Sequence, residues 1–472
     1  MRSQGARTPL QSPRRAPVNG RGASDLWARI WLRLWLRLRL WAGLAAHSVT
    51  GWALRLALVA IYLVGWSALS QIHLQTSDLE RFYIPAALIA LQGRPLFVYS
   101  SSHLRDYPLA NGPLSIAPLV GALGLAGWLG WLRSMALTRL VIVAVYSVFS
   151  LLLAREAVRV VDRFAPTPLR GPRRLLVYEV FLISLQLWQS MLYYGHVEQP
   201  LMLWLALVGV RLVGEGKPGR AGVWLGLALL TRTTALTIII PVALLLATRA
   251  DWRGLWRWGG ALAAVVVGGL APFALADGRD LLYSLVTFHN SQQSLGGNLW
   301  TLVSGTPLAA LPQHADGFIV LLATLAVAWV VLRARADLRA DSRDFYALLA
   351  LCSLCHPAFI NILWPYYFLE AFTFCALWWL AGIGALARAG ERARWWLWGL
   401  APLGLTLLGQ TRQYALTLQE AATPGGGVAA WNLLTSVGLL AVMALLAWRL
   451  ARRPASAHYD RQVATQQANA GG

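Results

Sequence analysis

The sequence predicts an all-α polytopic membrane protein that crosses the lipid bilayer roughly ten to thirteen times. Hydrophobic residues make up 57% of its 472 residues and charged residues only 13%, about half the charged share of a soluble domain. Apolar stretches of about 20 residues, each long enough to span the hydrocarbon core as a helix, recur along almost the whole chain. The lipid bilayer is therefore the first partner that this composition requires.

Positive charge marks one side of the membrane. The net charge is +21, but the basic residues form short clusters between apolar stretches, so nucleic acid is not a predicted partner. Because cytoplasmic loops are enriched in arginine and lysine, the cytoplasmic clusters are predicted at residues 155–174, 211–220, 249–257, 333–343, 388–394 and from 449 onward. The segments predicted on the extracytoplasmic side are 72–112, 193–199, 277–297, 356–367 and 411–427.

The chain ends are predicted to lie outside the helical bundle. Residues 1–24 and 454–472 are rich in polar and small side chains and are predicted to be disordered. The membrane domain then covers residues 49–453. Its first span, residues 49–70, starts too late for a typical secretory signal and is predicted to be retained as an anchor. A long first extracytoplasmic loop follows at residues 72–112.

Residues 25–48 precede that first span and carry a basic face. Arg29, Arg33 and Arg37 recur at every fourth position among Leu and Trp, which indicates an amphipathic helix lying along the cytoplasmic interface. An extension of the first span is the alternative.

Two places in the membrane domain do not fit uninterrupted spans. Residues 113–131 and 136–154 cannot both cross if the preceding loop is outside and the following basic cluster inside, so one is predicted to be re-entrant or a loop breaks the charge rule. Residues 221–230 are too short to span, and a polar run at 231–234 separates them from residues 235–247. Broken helices of this kind border a polar cavity or packed protein.

Acidic residues of the first outer loop are the candidate chemical groups: Asp78, Glu80 and Asp106. Asp78 and Glu80 project to one side of an extended chain but to nearly opposite sides of a helix, so they need not act as a pair. Solvated charges at the end of a span are the alternative interpretation.

Short motifs in a fixed order resemble one family of membrane enzymes. In the first loop they are Asp78, Phe82-Tyr83, Ala86-Ala87, Leu91-Gln92-Gly93, Pro95-Leu96-Phe97-Val98-Tyr99 and Tyr107-Pro108-Leu109. Later motifs are Tyr194-Gly195 with Gln199, Leu229-Leu230-Thr231-Arg232, and His356-Pro357 with Trp364-Pro365-Tyr366-Tyr367. The pattern is similar to glycosyltransferase family 87, the polyprenyl-phosphate-mannose-dependent branch of the GT-C superfamily, although the second Pro of its Tyr-Pro-Pro motif is missing and Arg232 replaces a Lys.

The resemblance implies a GT-C-type bundle and a catalytic base from the first outer loop, which in this chain is Asp78. It also implies a polyprenyl-phosphate sugar donor, with mannose as the first candidate, a lipid or glycan acceptor, and an outward-facing site in a bacterial inner membrane. The alternative function is a transporter or lipid-linked-sugar flippase without covalent chemistry, which would also explain many spans and a broken helix.

Few ionisable groups suffice for glycosyl transfer, because a lipid phosphate is already a good leaving group. Glu80 and Asp106 are secondary acid candidates beside Asp78. Arg232 is the first candidate for the lipid phosphate and His356 the second, with a structural hydrogen bond as the alternative for each. The predicted substrate-binding residues are Tyr83, Tyr107, Asn111, His196, Glu198, Gln199, His289, Asn290 and Tyr366. Ordinary loop polarity is the alternative explanation for them.

No cofactor and no metal site are predicted. The His and Glu residues of the outer turns are familiar ligand types but lack the close spacing of a metal site. The run from Cys352 to His356 matches the c-type haem attachment pattern. It lies in an apolar stretch, however, so two buried thiols, Cys352 and Cys355, are the predicted interpretation.

Overall fold

The structure, a computed structural model, describes residues 78–100, 108–165, 169, 172–182, 184–188, 190–191, 194–288, 296–385, 397–420 and 426–452. The predicted disordered ends, the basic interfacial helix and the first span lie outside these residues. So do Asp106, Tyr107, His289 and Asn290.

Helices dominate the described chain, and no β-strand occurs in these residues. In chain order the longer α-helices are α1 (Ile84–Leu91), α2 (Ala117–Trp128), α3 (Met135–Asp162), α4 (Pro172–Leu182), α5 (Gln199–Gly214), α6 (Pro218–Thr231), α7 (Leu236–Thr248), α8 (Trp252–Leu282), α9 (Pro312–Ala334), α10 (Arg343–Phe359), α11 (Phe368–Ala385), α12 (Leu400–Glu420) and α13 (Gly426–Ala451). The all-α fold class is confirmed for this part of the chain.

Within the described ranges, five helical segments are long and apolar enough to cross a membrane: Met135–Asp162, Trp252–Thr287, Ala315–Ala334, Pro365–Ile383 and Gly427–Ala451. Three shorter apolar helices accompany them, at Pro113–Trp128, Gln199–Gly214 and Thr233–Thr248. These helices indicate an integral membrane protein. Fewer full-length spans are described than the ten to thirteen predicted, in part because breaks shorten several apolar stretches.

Exposed and buried helices differ sharply in their surroundings. The most apolar part of α8 contains no buried residue, and Leu275 on it is 88% exposed. An apolar surface of this extent suits hydrocarbon better than water. Helices α10 and α11 are instead buried along most of their length and form the centre of the core.

The two consecutive apolar stretches form helices of different lengths. Helix α2 has 12 residues, about 18 Å at 1.5 Å per residue, which is shorter than a hydrocarbon core of about 30 Å. Helix α3 has 28 residues and can cross completely. The first of the two stretches is therefore the one that does not span as a continuous helix.

The predicted broken helix is confirmed. Helix α6 ends at Thr231, and Arg232 adopts an extended conformation with φ −155° and ψ 133°. A short 3₁₀ turn, Thr233–Ala235, then leads into α7. The break borders a cavity, as the sequence predicts, and it brings the Arg232 side chain to the wall of that cavity.

Candidate active site

A cavity of about 1000 Å³ lies among the first loop, the break between α6 and α7, and the segment that precedes α11. Its ionisable lining residues are Asp78, Arg81, His196, Arg232, Asp316 and His356, accompanied by several tyrosines. Pockets for drug-sized ligands measure about 300–1,000 Å³. The cavity is therefore large enough for a substantial substrate.

The first loop and the turn before α5 meet at Gly195. The amide nitrogen of Asp78 donates to the carbonyl oxygen of Tyr194 over 3.1 Å. Gly195 has φ +75°, a conformation that glycine adopts readily. A Cβ atom at Gly195 would collide with the Leu79 side chain and lie 2.8 Å from the Leu79 nitrogen. Glycine thus permits the close approach that places Asp78 beside His196.

His196 lies between two carboxylates. Its Nε2 atom is 2.8 Å from Oδ2 of Asp78, and its Nδ1 atom is 2.9 Å from Oε1 of Glu198. Glu198 is fully buried and His196 nearly so, whereas the Asp78 side chain is 27% exposed. Of these two carboxylates, Asp78 is thus the one that a ligand can reach, and His196 holds it in one orientation.

The turn that contains His196 and Glu198 favours the charged form of both residues. Burial lowers the pKa of His196, but the charge of Glu198 and hydrogen bonds to Asp78 and Glu198 outweigh it, so this pKa is raised above its ordinary value. Burial raises the pKa of Glu198, whereas the charge and hydrogen bond of His196 and the charge of Arg232 lower it to about 2. These surroundings therefore favour the protonated form of His196 and the ionised form of Glu198.

Arg232 is held in the cavity wall by two carboxylates and two rings. Its Nη1 atom lies 2.5 Å from Oε1 of Glu198, and its Nε atom lies 3.8 Å from Oε1 of Glu370. The guanidinium carbon is 5.7 Å from the centre of the Tyr366 ring and 5.8 Å from that of Tyr367. Glu198 and the two rings position the guanidinium, and Glu198 neutralises its charge.

No protein-family model, no curated protein and no solved structure matches this chain. The resemblance to glycosyltransferase family 87 therefore stays a prediction.

The structure brings most of the predicted site residues together. Those that line the cavity are Asp78, Tyr83, Asn111, His196, Arg232, His356 and Tyr366. Gln199 lies behind the wall, where its side-chain nitrogen donates to the carbonyl oxygen of Tyr366 over 3.4 Å. Glu198 is also behind the wall and supports His196 and Arg232.

A hydrogen-bonded chain connects the first loop to the same cluster. The Asn111 side-chain amide donates to the hydroxyl of Tyr83, and the Tyr83 hydroxyl lies 3.1 Å from Nδ1 of His196. The hydroxyl of Tyr99 donates to the carbonyl oxygen of Asn111 over 2.8 Å. Tyr83 and Asn111 thus support the His196 ring as well as lining the cavity.

Glu80 does not join Asp78 in the cavity wall. The residues after Asp78 form a short π-helix, Leu79–Tyr83. The side chains of Asp78 and Glu80 therefore project to different sides, as expected for two positions that are two apart in a helix. Glu80 forms an ion pair with Arg139 of α3. Of the described acids in the first loop, only Asp78 lines the cavity.

Sequence reasoning missed Arg81, Asp316 and Glu370. Arg81 lines the cavity from the π-helix, and its closeness to Asp78 in the sequence was the available signal. Asp316 stands at the start of a long apolar stretch, a position that is typical of an ordinary interfacial charge. Glu370 is 1% exposed on α11 and accepts a hydrogen bond from Thr234. The feature of the sequence that indicates a role for Glu370 is a carboxylate within an apolar stretch.

The cysteine prediction is confirmed. Cys352 and Cys355 are both buried within α10, and the Cys355 sulfur lies 3.8 Å from the carbonyl oxygen of Leu351. Among the residues that the structure describes, no group of three or more His, Cys, Asp or Glu side chains is arranged to hold a metal ion.

Proposed function

We propose that this protein is a membrane glycosyltransferase that moves a sugar from a polyprenyl-phosphate donor to a lipid or glycan acceptor on the extracytoplasmic side. The observation that carries the proposal is a single cavity that a partly exposed carboxylate, Asp78, shares with two arginines, Arg81 and Arg232. The ordered motifs that resemble glycosyltransferase family 87 of the GT-C superfamily support it. Mannose is the first sugar to test, and a bacterial inner membrane is the proposed location.

In the proposed step, one oxygen of Asp78 takes the proton of the acceptor hydroxyl as that hydroxyl attacks the anomeric carbon. A bond forms between the acceptor oxygen and the anomeric carbon. The bond from that carbon to the phosphate oxygen breaks, and its electron pair leaves with the polyprenyl phosphate. His196, bound to the other oxygen of Asp78, positions the base, and Glu198 fixes the His196 ring.

The two arginines are proposed to bind the donor phosphate. Arg232 brings a planar set of donors, but Glu198 already neutralises its charge. Arg81, which enters the same cavity from the π-helix, supplies a second cation. A phosphate that gains negative charge as it leaves is stabilised by cations placed in advance, and this makes the pair of arginines suitable for the departing group.

The apolar part of the cavity supports a lipid substrate. Val266 and Leu270 of α8 and Phe318 and Leu321 of α9 line it, and the Phe318 side chain is 63% exposed. Exposed apolar residues on these helices are suited to contact with hydrocarbon. A cavity with a charged region and an apolar region fits an amphiphile whose headgroup reacts while its chain remains in lipid.

Transfer and transport can be separated in one experiment. The purified chain is reconstituted in liposomes with defined polyprenyl-phosphate sugars and candidate glycolipid acceptors, and products are identified by mass spectrometry. A new glycosidic bond together with released polyprenyl phosphate is the expected result. Movement of labelled lipid across the bilayer without a covalent product would support the flippase alternative. If neither a product nor lipid movement is observed, both functions are ruled out.

A further inference from the structure

A second carboxylate, that of Asp316, lines the cavity without a part in the step described above. It lies at the start of the spanning part of α9, directly after the non-helical backbone of Ala315. Only 1% of the Asp316 surface is exposed, and the residue lies in the wall of the cavity. Convergent polar groups in such a cavity are what fix the orientation of a ligand.

Two backbone amides hold the Asp316 carboxylate in a fixed plane. Oδ1 accepts a hydrogen bond from the nitrogen of Gly317 over 2.6 Å, and Oδ2 accepts one from the nitrogen of Asn361 over 3.1 Å. A carboxylate offers about four acceptor positions. Each oxygen therefore has capacity for a further donor, and the two oxygens are pre-oriented to receive a pair of them.

Aromatic rings share the cavity wall with both acids. Tyr367 interacts electrostatically with Asp316 and with Asp78. Its ring centre is 4.7 Å from that of Tyr366 and 4.4 Å from that of His356, and all of these residues line the cavity. Aromatic faces attract the weakly positive hydrogens of C–H groups. A pyranose has such a C–H face and hydroxyl donors at its edge, so it matches this combination of rings and carboxylate.

We propose that Asp316 binds a neutral pyranose through two neighbouring hydroxyl groups that donate hydrogen bonds to its carboxylate, and that it thereby selects the sugar. The inference rests on the proposed function only in assigning this pyranose to the donor or to the acceptor. A fixed negative charge repels a second one. Sugars that carry a carboxylate beside these hydroxyls, such as uronic acids, are therefore excluded.

Binding of methyl pyranosides to the purified full chain in lipid nanodiscs tests this site, with saturation-transfer NMR as the readout. The panel contains methyl mannoside, glucoside and galactoside, every single-deoxy form of the best ligand, and its uronate. Removal of either of two neighbouring hydroxyls is expected to weaken binding to the wild type about tenfold or more, because the acceptor is charged. The uronate is expected not to bind.

In Asp316→Asn the same two deoxygenations are expected to weaken binding by less than about threefold, because the charged acceptor is absent. Asp341→Asn, a matched change at a carboxylate that is 47% exposed and paired with Arg339, is expected to behave like the wild type. If Asp316→Asn does not fold, Asp316→Glu replaces it, since it keeps the charge and moves the carboxylate by one methylene.

The proposal is overturned if no pyranoside binds, if the uronate binds as well as the neutral sugar, or if deoxygenation has the same effect in the wild type and in the folded variant. Asp316 would then only bind the backbone amides of Gly317 and Asn361. If sugar binding depends on Asp316 but the protein transfers no sugar, the Asp316 site is supported and the transferase function is contradicted. In an active protein, a raised KM for the donor or for the acceptor in the Asp316 variant identifies which substrate carries the pyranose.

Discussion

Oδ2 of Asp78 lies 2.8 Å from Nε2 of His196, although 118 positions of sequence separate the two residues. This contact joins the first outer loop to the turn before α5. The two described acids of the loop therefore differ in their partners. Asp78 contacts His196 in the cavity wall, whereas Glu80 is paired with Arg139 and does not line the cavity. The predictions that follow depend on this arrangement.

Asp78→Asn is expected to lower kcat for sugar transfer by about 10²–10⁴, the usual contribution of a general base. The amide can still accept the hydrogen bond from His196, so the unfolding temperature should stay within a few degrees of the wild type. Initial rates of product formation and a thermal unfolding curve measure the two effects.

Glu80→Gln is the matched control for that variant, since it changes a carboxylate two positions away and outside the cavity. It is expected to retain transfer activity. Loss of activity in Glu80→Gln together with full activity in Asp78→Asn would move the base to Glu80.

Arg81 and Arg232 are expected to respond differently to replacement by Gln. Arg81→Gln should raise KM for the lipid-phosphate donor about tenfold, since it removes a charged donor from the cavity wall. Arg232→Gln should lower the free energy of unfolding by about 3–5 kcal/mol, because buried Glu198 and Glu370 lose their cation. Donor titrations and denaturant unfolding separate the effects.

Arg339→Gln is the control, because the Arg339 side chain is 76% exposed and exposed ion pairs contribute about 0–1 kcal/mol. An unchanged donor KM in Arg81→Gln would contradict the proposed binding of the donor phosphate by Arg81.

The stability of the protein is expected to fall as pH rises above neutrality because of His196. The pKa of His196 is raised in the folded protein. Its contribution to stability is therefore complete below the ordinary pKa of about 6.5 and is lost as pH rises through the raised value. The titratable groups in contact with His196 include Asp78, Glu198, Tyr83, Arg232 and Tyr366. Glu198, with a pKa of about 2, stays ionised throughout this range.

Unfolding temperatures measured between about pH 6 and about pH 9 check this prediction. The decline should be smaller in His196→Gln than in the wild type. Parallel curves for the two proteins would show that other groups cause the pH dependence.

Gly195→Ala is expected to damage the site more than the fold. The added methyl group must occupy left-handed backbone, at a cost of about 1–2 kcal/mol, and it also collides with Leu79 beside Asp78. Transfer activity should therefore fall at least about tenfold, because displacement of a catalytic group by about 1 Å can cost about 10²-fold.

Gly216→Ala is the control for the backbone effect. Gly216 also has positive φ, +68°, but nothing lies within 4 Å of the position of its Cβ. Gly216→Ala should therefore lower the free energy of unfolding by the backbone cost alone and should keep normal transfer activity. Equal activities for the two variants would mean that the contact of Gly195 with Leu79 does not position Asp78.

Local patterns predicted a large part of this structure. The polar run around Arg232 predicted the break between α6 and α7, because backbone and charge in an apolar stretch require a polar or packed environment. Apolar surroundings likewise predicted that Cys352 and Cys355 are buried. Motif order selects Asp78, a charge inside an apolar stretch selects Arg232, and a hydrogen-bonding side chain on an outer turn selects His196 as candidates.

Other features could not be obtained from local patterns. The side of the helix on which Glu80 lies depends on the π-helical conformation of Leu79–Tyr83, which has no distinct sequence signal. The sequence around Asp316 gives no sign that packing places this residue in the cavity wall. The length of α2 also differed from its apolar stretch, because helix ends depend on contacts with other segments.

By itself, the sequence determined that this protein requires lipid, that its described part is helical, and where one helix breaks, because these properties follow from hydrophobicity and charge along short stretches. Only the tertiary structure decided that Asp78, His196, Glu198 and Arg232 form one hydrogen-bonded chain and that Asp316 faces the same cavity. Such contacts join residues that are far apart in the chain. They depend on distances of a few ångströms that packing between helices sets.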